Sequence, residues 1–112
     1  MTHKKFNEAI AHIRDVSLDT LIKKNHGYSK GSEDALHNFW AGAQMNDSTQ
    51  AQTAWGYMTK HLVALRDKVQ SGDFDDLADL EEKCQDIINY TAIIYAIGVE
   101  ESAFREEVPY AE

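Results

Sequence analysis

The stretch KCQDIINYTAIIYAI (83–97) decides the fold of this chain. Its second half is almost wholly apolar, and a helix that is apolar on all sides has to be buried against more than one neighbour. A small bundle cannot easily enclose such a helix, so we expect part of it to form a contact between subunits. The alternative is a central helix packed against the other helices of its own chain. Asp86 and Asn89 in the first half then need a separate explanation.

Three- and four-residue apolar steps on both sides of this stretch predict further helices. Ser32 is the predicted N-cap of the second helix, Asp47 or Ser48 that of the third, and Gly72 and Gly98 are expected to end the third and fourth. No segment has the alternation of a β-hairpin. The predicted fold is one all-α domain, a four-helix bundle with helices at 3–24, 33–45, 50–71 and 75–97, and with an acidic tail at 99–112 that holds one more short helix.

The composition of the chain limits which functions are possible. The 112 residues suit a single domain, and the net charge of −8 disfavours a nucleic-acid surface, which requires a basic patch. A single cysteine cannot form a disulfide within the chain, which favours a reducing compartment. No apolar run is long enough to span a membrane and no leader sequence opens the chain. We expect a cytoplasmic protein that binds neither nucleic acid nor membrane.

Polar side chains on three predicted helices border the apolar stripes and are expected to face inward. They are Asp86, Asn89 and Tyr90 on the fourth helix, Asp34, His37 and Asn38 on the second, and His61, Arg66 and Asp67 on the third. A buried carboxylate is costly unless it is paired, hydrogen-bonded or bound to metal. One interpretation is structural, with Asp86 paired to an Arg or Lys, for example Arg66, and His61 satisfied in the core. The other is a site where three helices converge.

The chemistry that such a site would suit is binding or hydrolysis of a phosphate ester. Mg²⁺ prefers carboxylate and phosphate oxygens, whereas a His–Asp set would suit a transition metal. Arg66 and Lys83 are candidates to neutralise phosphate, and Asn38 or Asn89 to orient a water or read a base. The loop GYSKGS (27–32) lacks the ending of a P-loop and is best interpreted as a turn, although Lys30 could reach a ligand from it.

Three segments together carry a resemblance to a known superfamily. HGYSKGSEDALHNF (26–39), WGYMTKHLVALRD (55–67) and EKCQDIINYTAII (82–94) resemble small phage and prophage proteins of the MazG-like, all-α nucleoside triphosphate pyrophosphohydrolases. The resemblance implies a helical dimer or tetramer, here associating through the fourth helix. It also implies cleavage of a nucleoside triphosphate to the monophosphate and pyrophosphate with Mg²⁺ held by carboxylates.

The resemblance also assigns residues to that reaction. The superfamily uses an E-x-x-E motif and a later E-x-x-D motif; Asp86 matches the final Asp, Lys83 stands at the Glu position, and no clear E-x-x-E precedes them. The implied metal ligands are Asp34 and Asp86, with His61 as general base and Asp67 as a further catalytic residue. The expected substrate-binding residues are Lys30, His37, Asn38, Arg66, Lys83, Asn89 and Tyr90.

Three functions remain open from the sequence. The first is a MazG-like, Mg²⁺-dependent nucleotide pyrophosphohydrolase. The second is a phage protein that binds and sequesters a nucleotide without cleaving it, for which Lys83 and the missing E-x-x-E argue. The third is a helical adaptor for another protein, which the acidic surface and the tail would suit.

Overall fold

Four α-helices make up most of the described chain, which in this computed structural model comprises residues 1–29 and 32–104. They are α1 (His3–Ser29), α2 (His37–Asn46), α3 (Gln50–Ser71) and α4 (Leu77–Phe104). No β-strand occurs in these two ranges, which confirms the all-α class. No helix in them is long and apolar enough to span a membrane.

α4 is the helix on which the others are organised. α3 packs along one of its sides and α1 along another, while α2 packs mainly on α3. Phe39 of α2, Ala54 of α3 and Ile97 of α4 form the buried centre of the core. Partly buried apolar side chains surround that centre, namely Leu36, Ala51, Tyr57, Tyr90, Ile93 and Ile94. One side of the apolar stretch is therefore buried within the chain, as its pattern predicts.

α1 is longer than its predicted range of 3–24. It continues through Asn25 and Gly27 to Ser29, although asparagine and glycine are common where helices end. The last turns of α1 carry Leu21, Lys24 and Asn25, which line a cavity shared with α2 and α4. This packing outweighs the cost of a glycine inside a helix, which is about 1 kcal/mol relative to alanine.

α2 is shorter than its predicted range of 33–45, and Ser32 is not its N-cap. The Ser32 hydroxyl accepts a hydrogen bond from the Asp34 N–H at 3.1 Å, and the Asp34 carboxylate accepts one from the Leu36 N–H at 2.9 Å. Short polar side chains that bond to nearby backbone in this way stabilise turns in place of helix. The helix consequently begins only at His37.

α3 has the predicted bounds, but its N-cap is Thr49, not Asp47 or Ser48. The Thr49 hydroxyl accepts a hydrogen bond from the Gln52 N–H, and the Gln52 side chain accepts one from the Thr49 N–H, which forms a capping box. Asp47 instead adopts the left-handed conformation that ends α2. Gly72 ends α3 with φ 68°, as predicted.

α4 does not end at Gly98 as predicted but continues to Phe104. Glu100 accepts a hydrogen bond from the Gln50 side chain at 3.3 Å, so the turn after Gly98 is attached to the start of α3. Residues 99–104, expected to belong to a separate tail, are thus the last turns of α4. The rest of the predicted tail, 105–112, lies outside the described residues.

Candidate functional site

A cavity of about 110 Å³ lies where α1, α2 and α4 meet. It is lined by Leu21, Lys24 and Asn25 of α1, Asn38 and Phe39 of α2, and Asn89, Tyr90 and Ile93 of α4. Three of these residues carry carboxamides and one carries an ammonium group. A cavity of roughly 150 Å³ in another protein accepts benzene, so this one is close to the size of a single ring.

Asn89 is the most informative residue of this lining. It is only 7% exposed and lines the cavity, whereas the fully buried side-chain atom without a partner among the described residues is Ser17 Oγ. Buried polar groups are almost always hydrogen-bonded, because burying an amide without a partner costs about 1–3 kcal/mol. Asn25 and Asn38 are partly buried in the same wall. The cavity therefore offers carboxamide donors and acceptors that water or a ligand has to satisfy.

Asp86 and His61 form a second polar group beside the cavity, where they contact its lining residues Lys24 and Tyr90. One oxygen of the Asp86 carboxylate lies 3.1 Å from His61 Nδ1, and the other lies 3.7 Å from Lys24 Nζ. The His61 ring stacks on Tyr90 with centroids 5.3 Å apart. The carboxylate that interrupts the apolar stretch is thus paired with an imidazole and an ammonium group, which offsets the cost of its partial burial.

The cation that pairs with Asp86 is a lysine and not Arg66, the example suggested by the sequence. Arg66 is exposed and pairs with its neighbour Asp67 at 3.4 Å, and neither residue lines the cavity. Lys24 provides the cation near Asp86 instead.

Lys83 lies in a different ion-pair group at the junction of α3 and α4. Asp79 accepts hydrogen bonds from Lys83 at 2.5 Å and from Lys68 at 3.0 Å. These bonds hold the pKa of the Asp79 carboxyl below its usual value, and the bond to Asp79 raises the pKa of Lys83. Lys83 is therefore engaged with Asp79 and does not line the cavity.

The other predicted site residues lie around the start of α2. Asn38 lines the cavity, whereas Asp34 is exposed and its carboxylate bonds to the Leu36 N–H. His37 is also exposed and stacks on Trp40, with centroids 6.1 Å apart. Lys30 lies outside the described residues.

The described residues do not fit a Mg²⁺ ion held by protein carboxylates. No group of three or more His, Cys, Asp or Glu side chains in them is placed to hold a metal. Asp86 contacts Lys24 of the cavity wall, and its neighbours Lys24 and His61 compete with a divalent ion for its oxygens.

The contribution of α1 to this wall was not predicted from the sequence. Leu21, Lys24 and Asn25 follow one another at three- and one-residue steps and so share one side of a helix, provided that the helix does not end at residue 24. The signal was present, but Asn25 and Gly27 were interpreted as a helix end. Lys24 was therefore not considered as a ligand contact.

Comparison with known proteins found no relative. No protein-family model matches the chain, and no curated protein or solved structure matches it.

Proposed function

We propose that this chain binds a nucleotide, with the base in the cavity between α1, α2 and α4 and the phosphates at Lys24. The observation that carries the proposal is Asn89, a carboxamide residue that is only 7% exposed and lines the cavity. A largely buried carboxamide that reaches a cavity is expected where a ligand completes its hydrogen bonds.

The size and lining of the cavity support a planar, hydrogen-bonding ring. Its volume of about 110 Å³ is well below the roughly 300–1,000 Å³ of pockets that enclose whole drug-sized ligands, so only part of a nucleotide would enter. Phe39 and Tyr90 supply aromatic surface, while Asn38 and Asn89 supply donors and acceptors. A carboxamide offers both on one planar group, which matches the edge of a nucleobase.

The positive charge of Lys24 at the edge of the cavity favours a position for the phosphates just outside the cavity. The Lys24 side chain is about half exposed, and its ammonium lies at the loose distance of 3.7 Å from Asp86. An ammonium group has three donors, so Lys24 can contact a phosphate without leaving Asp86. The resemblance to MazG-like proteins suggests that the ligand is a nucleoside triphosphate.

Hydrolysis is the second candidate, and the His61–Asp86 contact favours it. The Asp86 carboxylate lies 3.1 Å from His61 Nδ1, and a carboxylate beside one imidazole nitrogen orients the ring and leaves the other nitrogen to act as a base. A MazG-like pyrophosphohydrolase would need this pair together with a source of metal-binding oxygens, which the nucleotide's own phosphates would have to supply in large part. Binding without cleavage requires no such addition and is therefore the preferred function.

The test is a panel of ribo- and deoxyribonucleotides, nucleosides and cyclic dinucleotides, each with and without Mg²⁺. Binding is measured by calorimetry and by thermal shift, and products by chromatography. We expect at least one nucleotide to bind and to be recovered intact. Asn89→Leu should weaken that binding by about tenfold to a hundredfold, because about 1.5–3 kcal/mol of hydrogen bonding is lost.

Lys24→Gln tests the position of the phosphates, and Lys23→Gln is its matched control. Lys23 is adjacent, pairs with Asp19 at 3.0 Å and does not line the cavity. Lys24→Gln should weaken the binding of nucleotides but not of nucleosides. Lys23→Gln should leave the binding of both unchanged. Equal losses of nucleotide binding in the two variants would contradict the assignment of Lys24 to the phosphates. Mg²⁺-dependent product that disappears in Asp86→Ala would establish the hydrolase instead.

A further inference from the structure

α1 contributes to the cavity but not to the hydrophobic core. It supplies Leu21, Lys24 and Asn25 to the cavity lining. The buried core residues and the apolar side chains packed against them come from α2, α3, α4 and the residue that precedes α2. On the other walls of the cavity, Phe39 is a core residue and Ile93 packs against the core. The cavity thus has one half that belongs to the core and one half, from α1, that is attached outside it.

Much of the apolar surface of α1 faces solvent. Leu18 and Ile22 are 57% and 62% exposed. Ser17 is the one fully buried side chain among residues 3–27, at 1% exposed. Its hydroxyl oxygen makes no hydrogen bond to any described residue. Burying a hydroxyl without a partner is unfavourable, so the most deeply buried position of α1 weakens the attachment of this helix.

A row of polar contacts joins α1 to α4. His12 contacts Glu81 near the start of the row, and the Thr20 hydroxyl donates to the Gln85 side chain at 2.9 Å. Lys24 ends the row, 3.7 Å from a carboxylate of α4. All of these residues are partly buried or exposed. Water can therefore replace each contact when the two helices separate, so each contributes little to the attachment of α1.

We propose that α1 is a lid on the cavity. Residues 3–25 detach transiently from α4, open the cavity on its α1 side and close again, which returns Lys24 and Asn25 to the wall. The walls from α2 and α4 stay in place, because their apolar residues belong to the core or pack against it. An element with few buried apolar contacts opens at a lower free energy than the core does. This opening is a property of the ligand-free protein and does not depend on the nature of the ligand.

Amide hydrogen exchange of the full chain without ligand, followed by NMR and corrected for intrinsic exchange rates, tests the lid. Most of the stability of a helix in a protein comes from its packing, so a detached α1 loses helical hydrogen bonds and its amides exchange. We expect residues 16–25 to exchange at least about tenfold faster than residues 85–93, the part of α4 on which they lie. Equal exchange in these two segments would overturn the proposal.

Ser17→Ala should hold the lid closed more tightly. Detachment hydrates the buried hydroxyl of the wild-type protein, and this gain is absent with alanine, so exchange of residues 16–25 should slow at least about fivefold. Alanine also has a higher helix propensity than serine. Asn7→Ala, on the exposed start of α1, is therefore the matched control. Equal slowing by the two variants would show that Ser17 stays buried during exchange, which contradicts detachment of α1.

Thr20→Ala should loosen the lid. It removes the hydrogen bond to Gln85, so exchange of residues 16–25 should become about threefold to tenfold faster while exchange in α3 stays unchanged. Thr59→Ala is the matched control, because the exposed Thr59 hydroxyl donates to the Trp55 carbonyl within α3 at 3.1 Å. It should leave exchange of residues 16–25 unchanged. If Thr20→Ala speeds exchange equally in all four helices, α1 opens only when the whole protein unfolds, and the lid is excluded.

Discussion

Replacing Asn89 by leucine should stabilise the ligand-free protein. Asn89 is 7% exposed, and its carboxamide lines the cavity beside apolar Phe39 and Ile93. Burying an amide without a protein partner costs about 1–3 kcal/mol, and water in a cavity of about 110 Å³ recovers part of it. Leucine has the same branching and needs no partner, and the adjacent cavity of about 110 Å³ leaves room for its larger volume. We expect the free energy of unfolding to rise by about 1 kcal/mol, which raises Tm by roughly 4 °C.

The assay is reversible urea and thermal unfolding without ligand, followed by circular dichroism. Leucine also has a higher helix propensity than asparagine, by a few tenths of a kcal/mol, so Asn7→Leu on exposed α1 serves as the control. The difference between the two variants isolates the cost of the buried carboxamide. A loss of more than about 1 kcal/mol in Asn89→Leu would refute the reasoning, because it would show that the carboxamide is satisfied in the free protein and supports the fold.

Three further predictions concern the helices that position the cavity. Gly42→Ala should destabilise the protein by about 1–3 kcal/mol in urea unfolding, because the new Cβ would lie 2.6 Å from the Tyr57 hydroxyl oxygen. Combining Gly42→Ala with Tyr57→Phe should recover part of this loss of stability. If no stability is recovered, this contact is not the cause. Thr49→Ala should cost about 1 kcal/mol by removing the cap of α3, whereas Thr49→Ser should cost much less, so equal losses would argue against capping. Asp79→Asn should lower Tm at pH 7, because Lys68 and Lys83 lose their shared partner. Since the folded-state pKa of Asp79 is depressed, its contribution is present above its unfolded pKa and disappears as pH falls through the folded pKa, so the Tm gap should close in acid; a gap independent of pH would contradict the ion-pair explanation.

The cavity was partly predictable because helical periodicity places residues on faces. Asn89 and Tyr90 were predicted to face inward from α4 and Asn38 from α2, and all three line one cavity. Asp86 and His61, predicted separately on two helices, lie within 3.1 Å of each other. Their roles in binding or catalysis stay predictions.

Local competition for the backbone made the helix ends harder to predict. Ser32 and Asp34 looked like the start of a helix, but their side chains stabilise turns ahead of α2. Gly98 looked like a helix end, yet Glu100 beyond it bonds to α3. In both places a neighbouring backbone or helix decided the outcome, and a one-dimensional pattern does not contain that neighbour.

The sequence by itself determined that this chain is helical, that its fourth helix is buried on one side, and which side of that helix bears polar groups. Periodicity is enough for these conclusions, because side-chain direction along a helix is fixed by geometry. The partner of each polar group was decided only by the tertiary structure. Asp86 contacts His61 and Lys24 instead of Arg66, and Asn89 faces a cavity, because these pairings depend on how α1 and α3 pack against α4.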